Sequence, residues 1–188
     1  MPLNYAAMAA RRSEIELQRV DALILLVSDG AEDESDDLRA MAGDEDEGME
    51  NYAEESYELD AVRALFSQLS AVALYSVVEI RTKSALGTRF STDEVRGAYK
   101  FHQLKRLFRK ATGRDLASMP EYAAVDELRC LNNSYKHRGN VNEELAAFPG
   151  WQLDMPLGDV RPTITRLRPK VPLYLAAVTN ALSPSPAV

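Results

Sequence analysis

Cysteine is nearly absent from this chain: Cys130 is the single one in 188 residues. No disulfide can therefore close within one chain, and no Cys pair exists to anchor a structural zinc site. Histidine is almost as scarce, with only His102 and His137. Zinc held by Cys130 and His137 would lack further clustered ligands, so no metal and no other cofactor is expected. Long apolar runs are also missing. Residues 22–27 and 71–78 are the longest, well short of the roughly 20 residues of a membrane span. Residues 1–12 lack the charged start and apolar stretch of a secretory signal. The expectation is a cytoplasmic protein with no membrane partner. Apolar residues at 46% and charged residues at 27% exclude the disordered and fibrous classes, and the length suits one hydrophobic core, a single helical domain over 1–188.

Positive charge looks deficient too, since the net charge is −7. That figure hides an uneven distribution. Residues 31–60 hold 14 acidic side chains and one basic side chain, Arg39, a local charge of −13, so the remaining positions carry +6. Within that basic body Arg96, Lys100, Lys105, Arg106, Arg109, Lys110 and Arg114 follow one another with no Asp or Glu between Val95 and Arg114. Such a run is either a solvated cationic helix face or a surface for RNA. Overall acidity does not exclude RNA. The acidic segment is expected to lie over the basic surface and to limit access by mimicking phosphate charge.

Apolar spacing and punctuation predict an all-α bundle of four to five helices with a long acidic loop after the first. Val20, Leu23, Ile24 and Val27 repeat at helical spacing in a first helix over 4–28. Residues 31–56 read as a mobile acidic loop. Residues 57–85 contain neither Pro nor Gly and are apolar on most faces between 71 and 80, the pattern of a central helix. Glu79, set among Val77, Val78 and Ile80, is expected to pair with a cation. Ser91 with Glu94 forms a capping box for a helix over 92–112, stopped by Gly113. The apolar face of this helix drifts from Val95, Ala98 and Tyr99 to Phe101, Leu104 and Phe108, which predicts a kink or two partners. Ser118 with Glu121 predicts a second capping box, for a helix running to Arg138 and stopped at Gly139. Residues 140–169 read as an irregular wrap with at most a short extended pair at 151–153 and 163–167. A last helix over 171–182 and a tail at 183–188 follow.

The helix ending at Gly139 carries most of the chemistry. Arg129, Asn132 or Asn133, Lys136 and His137 fall at i, i+3 or i+4, i+7 and i+8, so they share one face. Leu128, Leu131 and Tyr135 take the other, which presents the polar face outward or across a dimer interface. Cations in the last turn before a Gly are what any helix end favours. Two adjacent asparagines inside a helix are not, because Asn is a poor helix former unless its amide has a specific partner.

Asn133-Ser134-Tyr135-Lys136-His137 resembles the Asn-x-x-Lys-His variant of the motif of the HEPN superfamily. Helical bundles of that superfamily carry, near a helix end, an Arg followed by a polar residue and a His four to six residues later. The order of long central helix, basic helix and motif helix is similar over 57–144. In the strict form the Arg directly precedes the polar residue, a place that Asn132 occupies here, whereas Arg129 stands seven intervening residues from His137. The resemblance implies a metal-independent endoribonuclease, acting as a homodimer with two motif helices facing each other, in toxin–antitoxin or phage-defence systems with an antitoxin or regulatory protein as partner. His137 would take the 2′-hydroxyl proton, since imidazole with its ordinary pKa of about 6.5 is suited to that task. Arg129 would stabilise charge on the phosphate with a bidentate fork. Asn133 would orient His137 or hold a phosphate oxygen, and Asn132, Lys136, Lys105, Arg106 and Arg109 would bind the substrate. His102, among cations, reads as a packing or phosphate-contacting residue. The alternative is a non-catalytic HEPN-like dimeric interaction or RNA-binding module.

Overall fold

One helix, α1 (Asp46–Leu86), runs through 41 residues of the computed structural model, which describes Ile15, Gln18, Arg19, Ala22, residues 46–137 and residues 139–183. The acidic stretch expected to be a loop over 31–56 is helical from Asp46 onward. Residues 31–45 lie outside the described residues. So does most of the expected first helix, of which the four described residues are helical.

The middle of α1 is apolar all round. Leu74, Tyr75, Val77, Val78 and Leu86 are buried, while Val62, Leu65, Leu69 and Ile80 are exposed. By length and composition alone Ala61–Leu86 could cross a membrane, more than the short apolar runs suggested, but a core helix passes the same test. Here α1 packs against four other helices. The hydroxyls of Ser67, Ser70 and Ser76 donate to the carbonyls of Ala64, Phe66 and Val72, and Ser67 Oγ also accepts the Val160 N–H at 3.1 Å, tying α1 to the start of α6. Glu79 accepts from Lys83 one turn on at 2.6 Å, the cation its sequence context called for.

The single helix expected over 92–112 is broken in two. α2 (Thr92–Arg96) carries the expected capping box of Ser91 and Glu94, and Gly97 ends it. α3 (Phe101–Thr112) starts anew and stops at Gly113, which adopts the left-handed conformation at φ 71°. The break resolves the drift of the apolar face, since Val95 and Ala98 are buried before it and Leu104 and Phe108 after it. The second predicted capping box does not form. Asp115 caps a 3-10 turn at Leu116–Ser118 instead, and the Ser118 hydroxyl donates to the Asp115 carbonyl. Glu121 is drawn away to Lys170 at 3.2 Å.

α4 (Tyr122–His137) follows, then Gly139 at φ 70°. The region 140–169 is more regular than a wrap and holds no extended pair at 151–153 and 163–167. It contains α5 (Glu143–Ala146), capped by the Asn142 side chain, and α6 (Arg161–Leu167), with Pro162 in its first turn. Among the described residues the only β contact is an isolated bridge between Asn140 and Pro156. α7 (Lys170–Leu182) closes the fold as expected. The chain is all-α. α1 rests on α4, α7, α3 and α6, and α4 in turn packs on α7, α5 and α6. Leu74, Phe108, Leu128, Leu131, Tyr174 and Leu182 fill the space between them.

One buried charge ties these parts together. Glu127 of α4 is 4% exposed. Its carboxylate accepts both terminal guanidinium nitrogens of Arg166 on α6, at 2.6 and 3.0 Å, and the indole N–H of Trp151 at 2.9 Å. The carboxylate therefore enters the core with three donors aimed at it.

Candidate functional site

A cleft of about 570 Å³ opens beside the C-terminal half of α4. One wall is α4 itself, whose helical spacing sets Arg129, Asn132, Asn133, Lys136 and His137 along it as the sequence required. The facing wall is the start of α3, which contributes Lys100, Phe101, His102 and, one turn on, Lys105. Tyr75 and Glu79 of α1 and Glu144 of α5 complete it, with Tyr99 at the α2–α3 break. Arg106 and Arg109, grouped with Lys105 in the sequence, are exposed and do not line the cleft. Lys105 faces the cleft from α3, and the adjacent Arg106 is turned about 100° away around the helix.

The polar face of α4 is not simply outward. Lys136 and His137 are exposed and Asn133 is half-buried, but Asn132 is only 2% exposed and its Oδ1 has no hydrogen-bond partner. The specific partner that paired asparagines demand is thus missing for this atom, and a buried acceptor left unmet costs about 1–3 kcal/mol. A ligand bringing an N–H or O–H donor would recover that loss.

Arg129 is held tightly. Its Nε–H donates to Asp126 at 2.7 Å and its Nη1 to Glu144 at 2.9 Å, Nη2 lies 3.1 Å from the Cys130 sulfur, and its plane sits 5.1 Å from the Phe101 ring centre. The side chain is 14% exposed. Burial works against its charge, but the hydrogen bond to Asp126, with Cys130 and Glu144, more than offsets that and raises its pKa. Two carboxylates therefore already meet the cation expected to grip phosphate. Lys105 is also positioned, donating to the Tyr122 hydroxyl at 3.2 Å beside the stacked Phe101 and Tyr122 rings. Lys100 and Lys136 have no ion-pair partner among the described residues, whereas the lining carboxylates Glu79 and Glu144 are engaged by Lys83 and Arg129. The cleft is left with uncompensated positive charge.

Cys130 lies behind Arg129, and burial pushes its thiol up to about 12. A thiol protonated at neutral pH is neither a ready nucleophile nor a zinc ligand. No group of three or more potential metal ligands occurs among the described residues. Cys130 should resist alkylation by iodoacetamide near pH 7 in the folded protein and react once denaturant is added, as followed by intact mass; rapid labelling of the folded chain would contradict the burial.

His102, Tyr75, Glu79 and Glu144 belong to the cleft but could not be assigned to it from the sequence. The interruption of the helix at residues 97–100 sets where α3 begins and so where His102 stands, and no periodicity encodes that. No protein-family model matches this chain, and neither the curated proteins nor the solved structures contain a match to it.

Proposed function

We propose that this cleft binds single-stranded RNA and cleaves it without a metal, as the HEPN resemblance implies, in an antiparallel HEPN-like bundle that works as a homodimer. The observation that carries the reading is the meeting of His137, Lys136 and the two asparagines with Lys100 and Lys105 from a different helix in one concave, net cationic site. His137 takes the 2′-hydroxyl proton, and the lysines offset charge as the phosphorus gains its fifth oxygen. Glu144, whose side chain is 59% exposed, is the anion that a phosphate would displace from Arg129. Asn133 sits one turn before His137, within reach of its ring or of a phosphate oxygen. In the setting that the resemblance implies, the protein is a cytoplasmic toxin or phage-defence component restrained by an antitoxin or regulatory protein.

The purified chain with excess EDTA should cut single-stranded RNA to fragments ending in 2′,3′-cyclic phosphate and 5′-hydroxyl, and a 2′-deoxy nucleotide at the cut position should block cleavage there. A second reading draws on Arg129, whose charge is already met by Asp126 and Glu144: a non-catalytic module that binds RNA or a partner subunit. Salt-sensitive RNA binding with no cleavage of varied sequences would select that second reading.

A further inference from the structure

The two histidines of this chain, 35 residues apart, stand on different helices and line the same cleft. His137 ends α4, and His102 is the second residue of α3. Both are exposed, and neither ring has a hydrogen bond or ion pair with a described residue. Both rings are therefore open to solvent and to any ligand that enters the cleft.

We propose that His102 is a second catalytic residue, the general acid that protonates the leaving 5′-oxygen while His137 removes the 2′-hydroxyl proton. The proposal rests on the ribonuclease reading above and adds to it that one protomer holds both proton-transfer groups. One imidazole cannot be neutral base and protonated acid in the same step, so a lone His137 would leave the departing alkoxide to water. With two, the step balances. The 2′-oxygen forms its bond to phosphorus as its proton passes to His137. The bond from phosphorus to O5′ breaks as the proton of His102 passes to that oxygen. The products are a 2′,3′-cyclic phosphate and a 5′-hydroxyl, no co-reactant is consumed, and solvent returns both rings to their starting states.

The surroundings fit a nucleotide chain between the two rings. Lys100, two residues before His102, and Lys136, next to His137, stand on opposite walls, and the start of α3 adds the positive end of its dipole. Tyr99, 78% exposed at the mouth, offers a ring on which an unpaired base can stack. Independently of these charges, the buried and unpartnered Oδ1 of Asn132 marks the cleft as a place where a ligand donor is missing, and a ribose hydroxyl or base amino group supplies one.

A leaving group that needs no proton separates the acid from every other role. The probe is a single-stranded RNA with one cleavable ribonucleotide among 2′-deoxy positions, made with the natural 5′-oxygen and again with a bridging 5′-sulfur. His102→Ala should slow cleavage of the oxygen substrate by about 10²–10⁴-fold, yet cut the sulfur substrate near the wild-type rate. His137→Ala should lose both. His102→Ala that cuts the oxygen substrate like wild type, or that loses both substrates equally, would overturn the acid role while leaving the ribonuclease reading standing. Failure of the wild-type chain to cut either substrate would overturn the ribonuclease reading and the acid role with it. Recovery on the sulfur substrate also shows that the variant is folded, because an unfolded chain cuts neither.

Discussion

Replacing Arg166 by alanine should destabilise the fold by about 3 kcal/mol, seen as a shift of the urea midpoint and a fall in Tm of roughly 6–12 °C. The reason is the asymmetry of a pair with one partner in the core and one at the surface. Glu127 is almost wholly buried, whereas the Arg166 side chain is half exposed. Removing the arginine strands a buried carboxylate with the Trp151 indole N–H as its one remaining donor of the three. Breaking a buried pair from one side typically costs about 3–5 kcal/mol, and the exposure of Arg166 places this case at the lower end because water already screens part of the attraction. Glu127→Gln should cost less, about 1–1.5 kcal/mol, since the amide oxygen keeps one acceptor and no buried charge is stranded. The double variant should then be less destabilised than the two single effects added together. An Arg166→Ala chain within 0.5 kcal/mol of wild type would show that Glu127 does not depend on this partner.

That cluster also shows where sequence reading fails. Glu127, Trp151 and Arg166 lie 24 and 39 residues apart, and no helical or strand periodicity links them. Residues 140–169 read as an irregular wrap because Pro149-Gly150, Pro156, Gly158 and Pro162 punctuate them. Pro162, however, sits in the first turn of α6, where its missing N–H costs nothing. Local signals that involve only a few neighbouring residues were legible: Ser91 with Glu94, Gly113, and the Glu79 pairing all match. Ser118 with Glu121 had the same signature and failed: Ser118 ends a 3-10 turn and the helix starts only at Tyr122, with Glu121 before it at φ 59° and its carboxylate on Lys170. A cap motif predicts its bond only where the helix starts directly after the capping residue.

The candidate site was half legible for a related reason. Positions along α4 follow from helical spacing alone, so the shared wall of Arg129, Asn132, Asn133, Lys136 and His137 could be drawn before any fold was known. The opposite wall depends on where α3 begins, which the interruption of the helix at residues 97–100 decides. The resemblance implies a phosphate grip for Arg129, and its place on that face allows one. Its engagement by Asp126 and Glu144 needed the contact between α4 and α5. Burial of Asn132 beneath an outward-looking face likewise comes from the neighbouring helices.

Replacing His137 by alanine should reduce cleavage of single-stranded RNA by about 10²–10⁴-fold, the range expected for loss of a positioned base. The fold should barely notice. His137 is the last residue of α4, exposed, and its ring has no partner among the described residues, so the stability change should stay within about 0.5 kcal/mol. RNA affinity should also fall only slightly, because Lys100, Lys105 and Lys136 remain. This combination separates a base from a binding residue. Losing a phosphate contact weakens affinity and flattens its salt dependence, whereas losing the base slows turnover at saturating RNA. Lys136→Ala supplies the contrast at the adjacent position: affinity should drop, and the slope of log affinity against log salt should shrink by about one. A His137→Ala chain that cuts RNA within threefold of wild type at saturation would remove the base from α4. With Arg129 bound to carboxylates and Cys130 protonated behind it, the motif helix would then retain binding groups alone.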